Sequence, residues 1–311
     1  MPAHIRIAAR PDELDALFRT RALARREQAG RAAQESEARL LDRFDAFPGT
    51  VNLAAFAGEE LVGGLRLCLP GAFATPLAHL PDLFAPLPKG ARAGCLDRFH
   101  LLAAHRDPGL RLGFSLLYMA AWCAVRRGVG YLAISPEPGL ARTAQSLGFQ
   151  QVGPRFQTED GLEALPMLLD LGQIRLPLVD LARKQGVFEI FEGIEWACYR
   201  AGEPIVLAGE EGQAAYMVVT GEVIVSAERG GPSGRSAFKL ATLGAGQLFG
   251  ELALLTGRRR TASVVAATDA DVLVLSRQVF RRELLERPDR LLEILERLAG
   301  RLADADDLLT R

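Results

Sequence analysis

The sequence predicts an α+β protein: a mixed α/β domain over residues 1–172, then a β-roll (jelly-roll) domain with flanking helices over residues 173–311. Three observations carry this reading. At 311 residues the chain is longer than most single hydrophobic cores, so two domains are expected. Strand-like and helix-like segments mix through the region before Gly172. Beyond it, short apolar runs are punctuated by glycine every few residues, the texture of a barrel or jelly roll.

Taken in order, residues 10–39 are rich in Arg, Ala and Glu with apolar positions at helical spacing, which predicts one or two helices. VNLAAFAG, EELVGGLRLCLP and LDRFHLLA predict strands between Gly- and Pro-containing turns. RLGFSLLYMAAWCAVRRG predicts an apolar helix stopped by Gly128. VGYLAIS reads as a buried strand, GLARTAQSLGF as a short helix and ALPMLLDL as the last strand of the first domain. QIRLPLVDLARKQGVFEIFEGIEW reads as helices, so the boundary is expected near residues 172–180. Short strands then run from ACYRAGEPIVLAG to ATDADVLVLS, and helices close the chain. In those helices Leu291, Leu295, Leu298, Leu302, Ala305 and Leu309 make one apolar stripe. It suits either a homodimer seam or a lid packing on the chain's own barrel.

Hydrophobic residues make up 49% and charged residues 24%, ordinary for a globular chain. The 37 basic and 38 acidic side chains leave a net charge of -1, which speaks against a nucleic-acid surface. No apolar run reaches the ~20 residues of a membrane helix. The start, MPAHIRIAARPDELD, lacks a signal-peptide core. Cys68, Cys95, Cys123 and Cys198 show neither a CxxC pair nor metal-ligand spacing. A cytoplasmic protein without a metal site is expected. His4, His79, His100 and His105 show no partnered spacing. His100 and His105 read as ordinary surface or core residues, with a donor-phosphate contact as the alternative.

The segment FGELALLTGRRRTASVVA, residues 249–266, carries the sharpest chemical signal. A phosphate diester held in a barrel needs backbone N–H donors at the start of a helical turn and one fixed guanidinium. Gly250 permits close backbone approach, Glu251 supplies an acceptor for a ribose hydroxyl, and Leu252 and Ala253 present N–H groups. An arginine offers a bidentate fork that lysine does not match. The segment resembles the phosphate-binding cassette of cyclic-nucleotide-binding domains, as in catabolite-activator-type regulators, kinase regulatory subunits and nucleotide-gated channels. The family's F-G-E-L-A-L pattern is met from Phe249, and its R-[TSA]-A-[ST]-V pattern by Arg260, Thr261, Ala262 and the two residues after them. Gly202, Gly209, Gly221 and Gly246 fit the family's glycine positions. The offset to the Ala-Ser-Val strand selects Arg260, which leaves Arg258 and Arg259 on the solvent side. The resemblance, over about residues 176–305, implies cAMP or cGMP as an effector, with Thr261 near the purine or phosphate.

In the first domain, Asp42 and Asp45 stand three apart, Gly63 and Arg66 lie in a G-x-x-R-L strand, and Arg98 lies in CLDRFHLL. SLGFQQVGP and LPMLLDL close the domain. This order resembles GNAT-fold N-acyltransferases, most closely the branch of acyl-homoserine-lactone synthases and long-chain N-acyl amino acid synthases. The resemblance spans about residues 5–172. It implies two splayed central strands, a pantetheine thioester paired with a strand edge, and acyl-CoA or an acyl-carrier protein as donor. It also implies an amine or amino acid as acceptor, with Asp42 or Asp45 at its ammonium and Arg66 and Arg98 at its carboxylate. Gly109, Arg111 and Gly113 fall in the donor-phosphate turn. Two positions depart from the pattern: Cys95 stands where an acceptor-side glutamate is expected, and Arg111 where that turn has a glycine.

The expected function is an N-acyltransferase switched by a cyclic nucleotide, the acceptor being an amino acid or a protein lysine. The competing expectation is a nucleotide sensor whose acyltransferase fold serves as a docking surface, which Cys95 and Arg111 favour. A DNA-binding regulator is not expected, since no helix-turn-helix segment comes after the closing helices.

Overall fold

The computed structural model describes residues 2–29, 38–71, 76–77, 83, 85–106, 111–158, 161, 163–173, 194–231, 234–286 and 300. The chain is α+β, as its sequence patterning implies. It divides into two compact units, Ala3–Gln185 and Gly186–Arg311. Residues 174–193 of the expected boundary helices and the leucine stripe beyond residue 287 lie outside the described residues, while Glu195 and Trp196, expected to be helical, are strand.

The first unit is a sheet flanked by helices. Its elements run β1 (Ala3–Ile7), α1 (Pro11–Ala29), β2 (Thr50–Ala57), β3 (Glu60–Cys68), β4 (Ala93–Leu101), α2 (Arg111–Arg126), β5 (Tyr131–Ile134), α3 (Ala141–Ser146), β6 (Gln150–Gln151), β7 (Phe156–Gln157), β8 (Glu163–Ala164) and β9 (Met167–Asp170). The main sheet has the order β1-β2-β3-β4-β5-β9-β6, while β7 and β8 form a separate ribbon. β1 to β4 pair antiparallel, so short connections suffice. β4 and β5 pair in parallel, and the crossover between them contains α2. β2 and β3 are buried along most of their length, which accounts for their near-continuous apolar sequence.

Two irregularities mark β4. Its parallel pairing with β5 extends only from Ala93 opposite Tyr131 to Cys95 opposite Ala133, although β4 itself continues to Leu101. β4 also carries a bulge: His100 faces Gly64 and Asp97 faces Arg66, so two residues, Arg98 and Phe99, oppose Leu65 alone.

The second unit is a pair of sheets. Its strands are β10 (Glu195–Tyr199), β11 (Pro204–Val206), β12 (Ala214–Thr220), β13 (Val223–Gly231), β14 (Gly234–Leu243), β15 (Leu248–Phe249), β16 (Ser263–Ala266) and β17 (Ala270–Ser276), with helices α4 (Glu251–Thr256) and α5 (Arg277–Glu286). The orders are β15-β12-β17-β10 and β11-β16-β13-β14. Ala197, Val218, Phe249 and Val272 of one sheet pack with Val206, Val223, Leu243 and Val264 of the other in a single apolar core. This is the β-roll that the glycine-punctuated strands predict.

The Gly63-Gly64 pair in β3 is a packing requirement. A Cβ on Gly64 would lie 2.6 Å from the Leu53 carbonyl oxygen and 3.2 Å from His100 Cε1, and would also strike Leu17 of α1. Gly64→Ala is therefore expected to cost roughly 1–3 kcal/mol through overpacking, read as a lower denaturant midpoint. A change within about 0.5 kcal/mol would show that α1 does not press on this strand.

Candidate functional site

In the second unit the chain enters α4 through Gly250, whose φ of 76° lies in the left-handed region. The glycine is also needed for space: a Cβ there would come within 2.7 Å of Arg260 Nη1. No side chain caps the helix start. Phe249, just before it, is buried and stacks on Tyr216 with ring centroids 5.2 Å apart. Glu251 and Ala253 are buried on the inner side of the turn, while Leu252 is 39% exposed.

Arg260 reaches back to this turn from the start of the next strand. Its side chain is buried, with Nη1 donating to the Gly250 carbonyl (2.5 Å) and Nη2 to the Ala214 carbonyl (2.7 Å). The guanidinium carbon sits 5.7 Å from the centre of the Tyr216 ring. Burial pushes the Tyr216 hydroxyl above its ordinary range, and the positive charge of Arg260 works against that rise. The backbone on either side is pinned: Arg260 N–H donates to the Glu210 carbonyl and Gly209 N–H to the Arg260 carbonyl. Gly212 completes the wall, since a Cβ there would lie 3.2 Å from the guanidinium carbon.

Arg260 and Glu251, 7% and 3% exposed, thus face inward. Arg258 and Arg259 are exposed. Thr261 is exposed and Ala262 half-buried before β16 begins. Tyr216, Gly212 and Ala214 were not legible as members of the site. They come from β12 and the turn before it, and only strand pairing brings them to the cassette.

In the first unit the four residues singled out in the sequence do meet, and they pair with one another. Arg66 on β3 is 0% exposed. It grips Asp97 across the strand pair (Nε to Oδ1, 2.8 Å; Nη2 to Oδ2, 2.6 Å). On its other side it grips Asp42 (Nη1 to Oδ1, 2.6 Å; Nη2 to Oδ2, 3.0 Å), with Asp45 Oδ2 2.9 Å from Nη1. Arg21 of α1 closes the interior end, with Nη1 3.1 Å from both Asp45 oxygens and Nη2 bonded to Asn52. Arg98 closes the outer end, Nη2 to Asp42 Oδ2 at 2.7 Å. Three guanidiniums thus meet three carboxylates.

The two aspartates owe their positions to local backbone. Asp42 caps the turn that starts at Arg43, its carboxylate accepting from Phe44 N–H, while Asp45 accepts from Asp42 N–H in a reciprocal box. Burial grades along the network. Side-chain exposure is 2% for Arg21 and 3% for Asp45, but 26% for Asp42 and 27% for Arg98. Burial alone would weaken the charge on Arg66, yet the hydrogen bonds it donates to Asp97 and Asp42 outweigh it and hold the guanidinium more firmly protonated than usual. Burial likewise acts to raise Asp42, and the bonds from Arg66 and Arg98 overcome it, leaving the carboxyl far below the usual range.

Asp97 and Arg21 were missed in the sequence. Asp97 lies two residues beyond Cys95, so the strand's period of two puts both on the same face. Cys95 itself is fully buried opposite Cys68, and burial lifts both thiols, Cys68 to about 12. Asp97, one strand period further along, is an acid that pairs with Arg66. Gly109 lies outside the described residues. Arg111 and Gly113 fall in the first turn of α2, where Gly113 is buried. Among the described residues no group of three or more His, Cys, Asp or Glu side chains is arranged to hold a metal ion. Nor, among them, is any helix long and apolar enough to cross a membrane.

The Asp42 pairing has a pH signature. A carboxyl held below its ordinary 3.8 stabilises the fold above that value, and the stabilisation is lost as pH falls through the lowered one. Asp42→Asn is expected to lose about 1–3 kcal/mol at pH 7 and to show a shallower fall in Tm between pH 4 and pH 2 than the parent. Equal slopes would mean that Asp42 is not paired as described.

Residues 197–287 match the family model described as "Cyclic nucleotide-binding domain". The "Cyclic AMP receptor protein" of Thermus thermophilus is 38% identical over 115 residues, 36% of this chain and 52% of that protein. The human "Cyclic nucleotide-gated channel beta-3" is 34% identical over 131 residues, 40% of this chain and 16% of that protein. The chain thus spans about half of the first relative and a small part of the second. Among solved structures, FeeM, an N-acyl amino acid synthase from uncultured soil microbes, aligns with a TM-score of 0.48 at 23% identity, over 56% of this chain and 93% of that one. The Thermus thermophilus catabolite activator protein aligns with a TM-score of 0.35 at 34% identity, over 45% and 61%. Within this chain, residues 197–287 are a cyclic-nucleotide-binding domain.

Proposed function

We propose that the chain is an N-acyltransferase under the control of a cyclic nucleotide, with acyl transfer in residues 1–172 and nucleotide binding in residues 173–311. The observation that carries the nucleotide half is the state of Arg260: a buried, permanently charged guanidinium bonded to two neutral carbonyls. An anionic phosphate offers it a stronger, charge-assisted pair. The N–H groups of Leu252 and Ala253 would share that phosphate, and Glu251 would accept from the ribose. Thr261, exposed beside the cassette, would approach the purine or phosphate. cAMP is the favoured effector, with cGMP as the alternative. Coupling to the other half arises if the nucleotide binds two states of the chain unequally.

The acyl-transfer half rests on the outer end of the ion network. Arg66, Asp45 and Arg21 are buried and paired with one another, which suits a scaffold. Asp42 and Arg98 are each about a quarter exposed, and these two would meet the ammonium and carboxylate of an amino-acid acceptor. The stretch of β4 beyond Cys95, no longer paired with β5 and bearing the exposed Phe99, suits a pantetheine chain added along a strand edge. The thioester of acyl-CoA or an acyl-carrier protein would lie between the two strands. The attacking amine displaces the thiolate, forming an amide, and the amine's proton is released to a carboxylate or to water. Gly109, Arg111 and Gly113, before and within the first turn of α2, would face the donor phosphate.

One observation favours a second reading. The three arginines and three aspartates of the network neutralise one another, as a purely structural assembly would. The first unit would then be a docking surface governed by the nucleotide domain. Such a protein binds nucleotide but neither acyl-CoA nor an acyl-carrier thioester.

Two measurements decide. Calorimetry with cAMP and cGMP should show binding that Arg260→Ala weakens by at least thirtyfold, matching the roughly 2–5 kcal/mol of a desolvated charge pair lost. An unchanged Kd would remove Arg260 from the site. Mass spectrometry of products from acyl thioesters and amino acids should show amide formation whose rate changes when cAMP is added. Equal rates would refute the switch, and no amide at all would favour the docking surface.

A further inference from the structure

We infer that His100 is a positioning residue: its Nδ1–H holds the carbonyl of Arg98 and thereby fixes the backbone turn that aims the Arg98 guanidinium at Asp42. This role rests on the proposed place of Arg98 at the acceptor edge of the acyl-transfer site.

Arg98 is the only non-glycine among the described residues with positive φ, 53°. That conformation is costly for an arginine and persists where surroundings enforce it. It occurs at the bulge in β4, where an extra residue opposes Leu65. A bulge of this kind places glycine at its first position when only shape matters. An arginine there is explained by what its side chain reaches, Asp42 Oδ2 at 2.7 Å.

His100 supplies the enforcement. Its Nδ1 lies 2.8 Å from the Arg98 carbonyl oxygen. A carbonyl only accepts, so Nδ1 carries the proton and Nε2 does not. Nε2 is buried and has no hydrogen-bond partner among the described residues. A buried ring that uses one nitrogen and leaves the other unmatched is a poor core residue, since an apolar side chain would fill the space without that cost. The bond to Arg98 accounts for its presence. Space for the ring comes from Gly64 directly opposite, where a Cβ would lie 3.2 Å from His100 Cε1. Burial, reinforced by the charge of Arg21, lowers the imidazole pKa to about 4, so the ring stays neutral and its donor stays in place.

The test compares His100→Asn, whose amide N–H can occupy the Nδ1 position, with His100→Leu, which fills the space without a donor. Both are made in the full chain. Hydrogen exchange at the Arg98 Nη2 hydrogens, which donate to Asp42, tracked by 15N NMR, reads the positioning without any assay of acyl transfer. Protection should fall at least tenfold in His100→Leu and stay within threefold of the parent in His100→Asn. In amide-forming assays, KM for an amino-acid acceptor should rise at least tenfold in His100→Leu with kcat changed less than threefold, and His100→Asn should restore it. Equal behaviour of the two variants, or unaltered Arg98 protection in His100→Leu, overturns the inference. If the parent forms no amide while the exchange difference remains, the acyl-transfer reading fails and the positioning role stands. If His100→Leu does not fold, His100→Gln, whose amide lies at the Nε2 position, takes its place with the same expectations.

Discussion

A guanidinium that keeps its proton and is removed from water has to be met by oxygen atoms held in place by the fold. Both units of this chain bury such groups, and Arg66 in the first and Arg260 in the second are met in opposite ways. Arg66 is met by three carboxylates, Asp42, Asp45 and Asp97, and the surplus negative charge is taken up by Arg21 and Arg98. The result is closed and neutral. Arg260 is met by the carbonyls of Gly250 and Ala214, which carry no charge to cancel its own. A closed assembly resists change, and a charge met by two carbonyls beside an aromatic ring suits an anion. The first arrangement suits a scaffold and the second a sensor.

The scaffold also organises the first unit. β3 contributes Arg66, β4 contributes Asp97 and Arg98, α1 contributes Arg21, and the turn capped by Asp42 contributes two carboxylates. Elements far apart in sequence are therefore tied at one point by bonds with strict directions. Removing one member leaves a buried charge without its partner, which is why such assemblies are expensive to break even when forming them contributes little net stability. The graded exposure, from Arg21 inward to Arg98 outward, gives the network a buried interior and a partly exposed rim.

The cassette proposed to hold the nucleotide is readable in the sequence because its core is contiguous. Phe249, Gly250, Glu251 and Arg260 lie within one short helix and the approach to the next strand, so local spacing settles their arrangement. Its remaining wall was not readable: Tyr216 and Ala214 arrive through strand pairing, whose register no local pattern reveals. In the first unit, Asp42, Asp45, Arg66 and Arg98 come together as ion pairs, and that mutual pairing depends on which faces of β3 and β4 meet. Arg21 was hidden among the many arginines of α1, where nothing local marks the one that is buried. The bulge at Arg98 was invisible because no glycine announces it. The mixed fold itself emerged from apolar runs and glycine stops, Gly128 among them, whose helix ends where Val129 N–H returns to the Ala124 carbonyl.

The burial of all four cysteines has a practical consequence. Cys68, Cys95 and Cys123 sit in the first unit with thiols that burial holds protonated, and Cys198 is buried in the second. Since only a solvated thiolate reacts readily with an alkylating reagent, each sulfur stays silent until its own unit opens. The chain thus carries a built-in pair of opening reporters, three sulfurs for one unit and one for the other, so that loosening of either half is told apart by which cysteine gains mass.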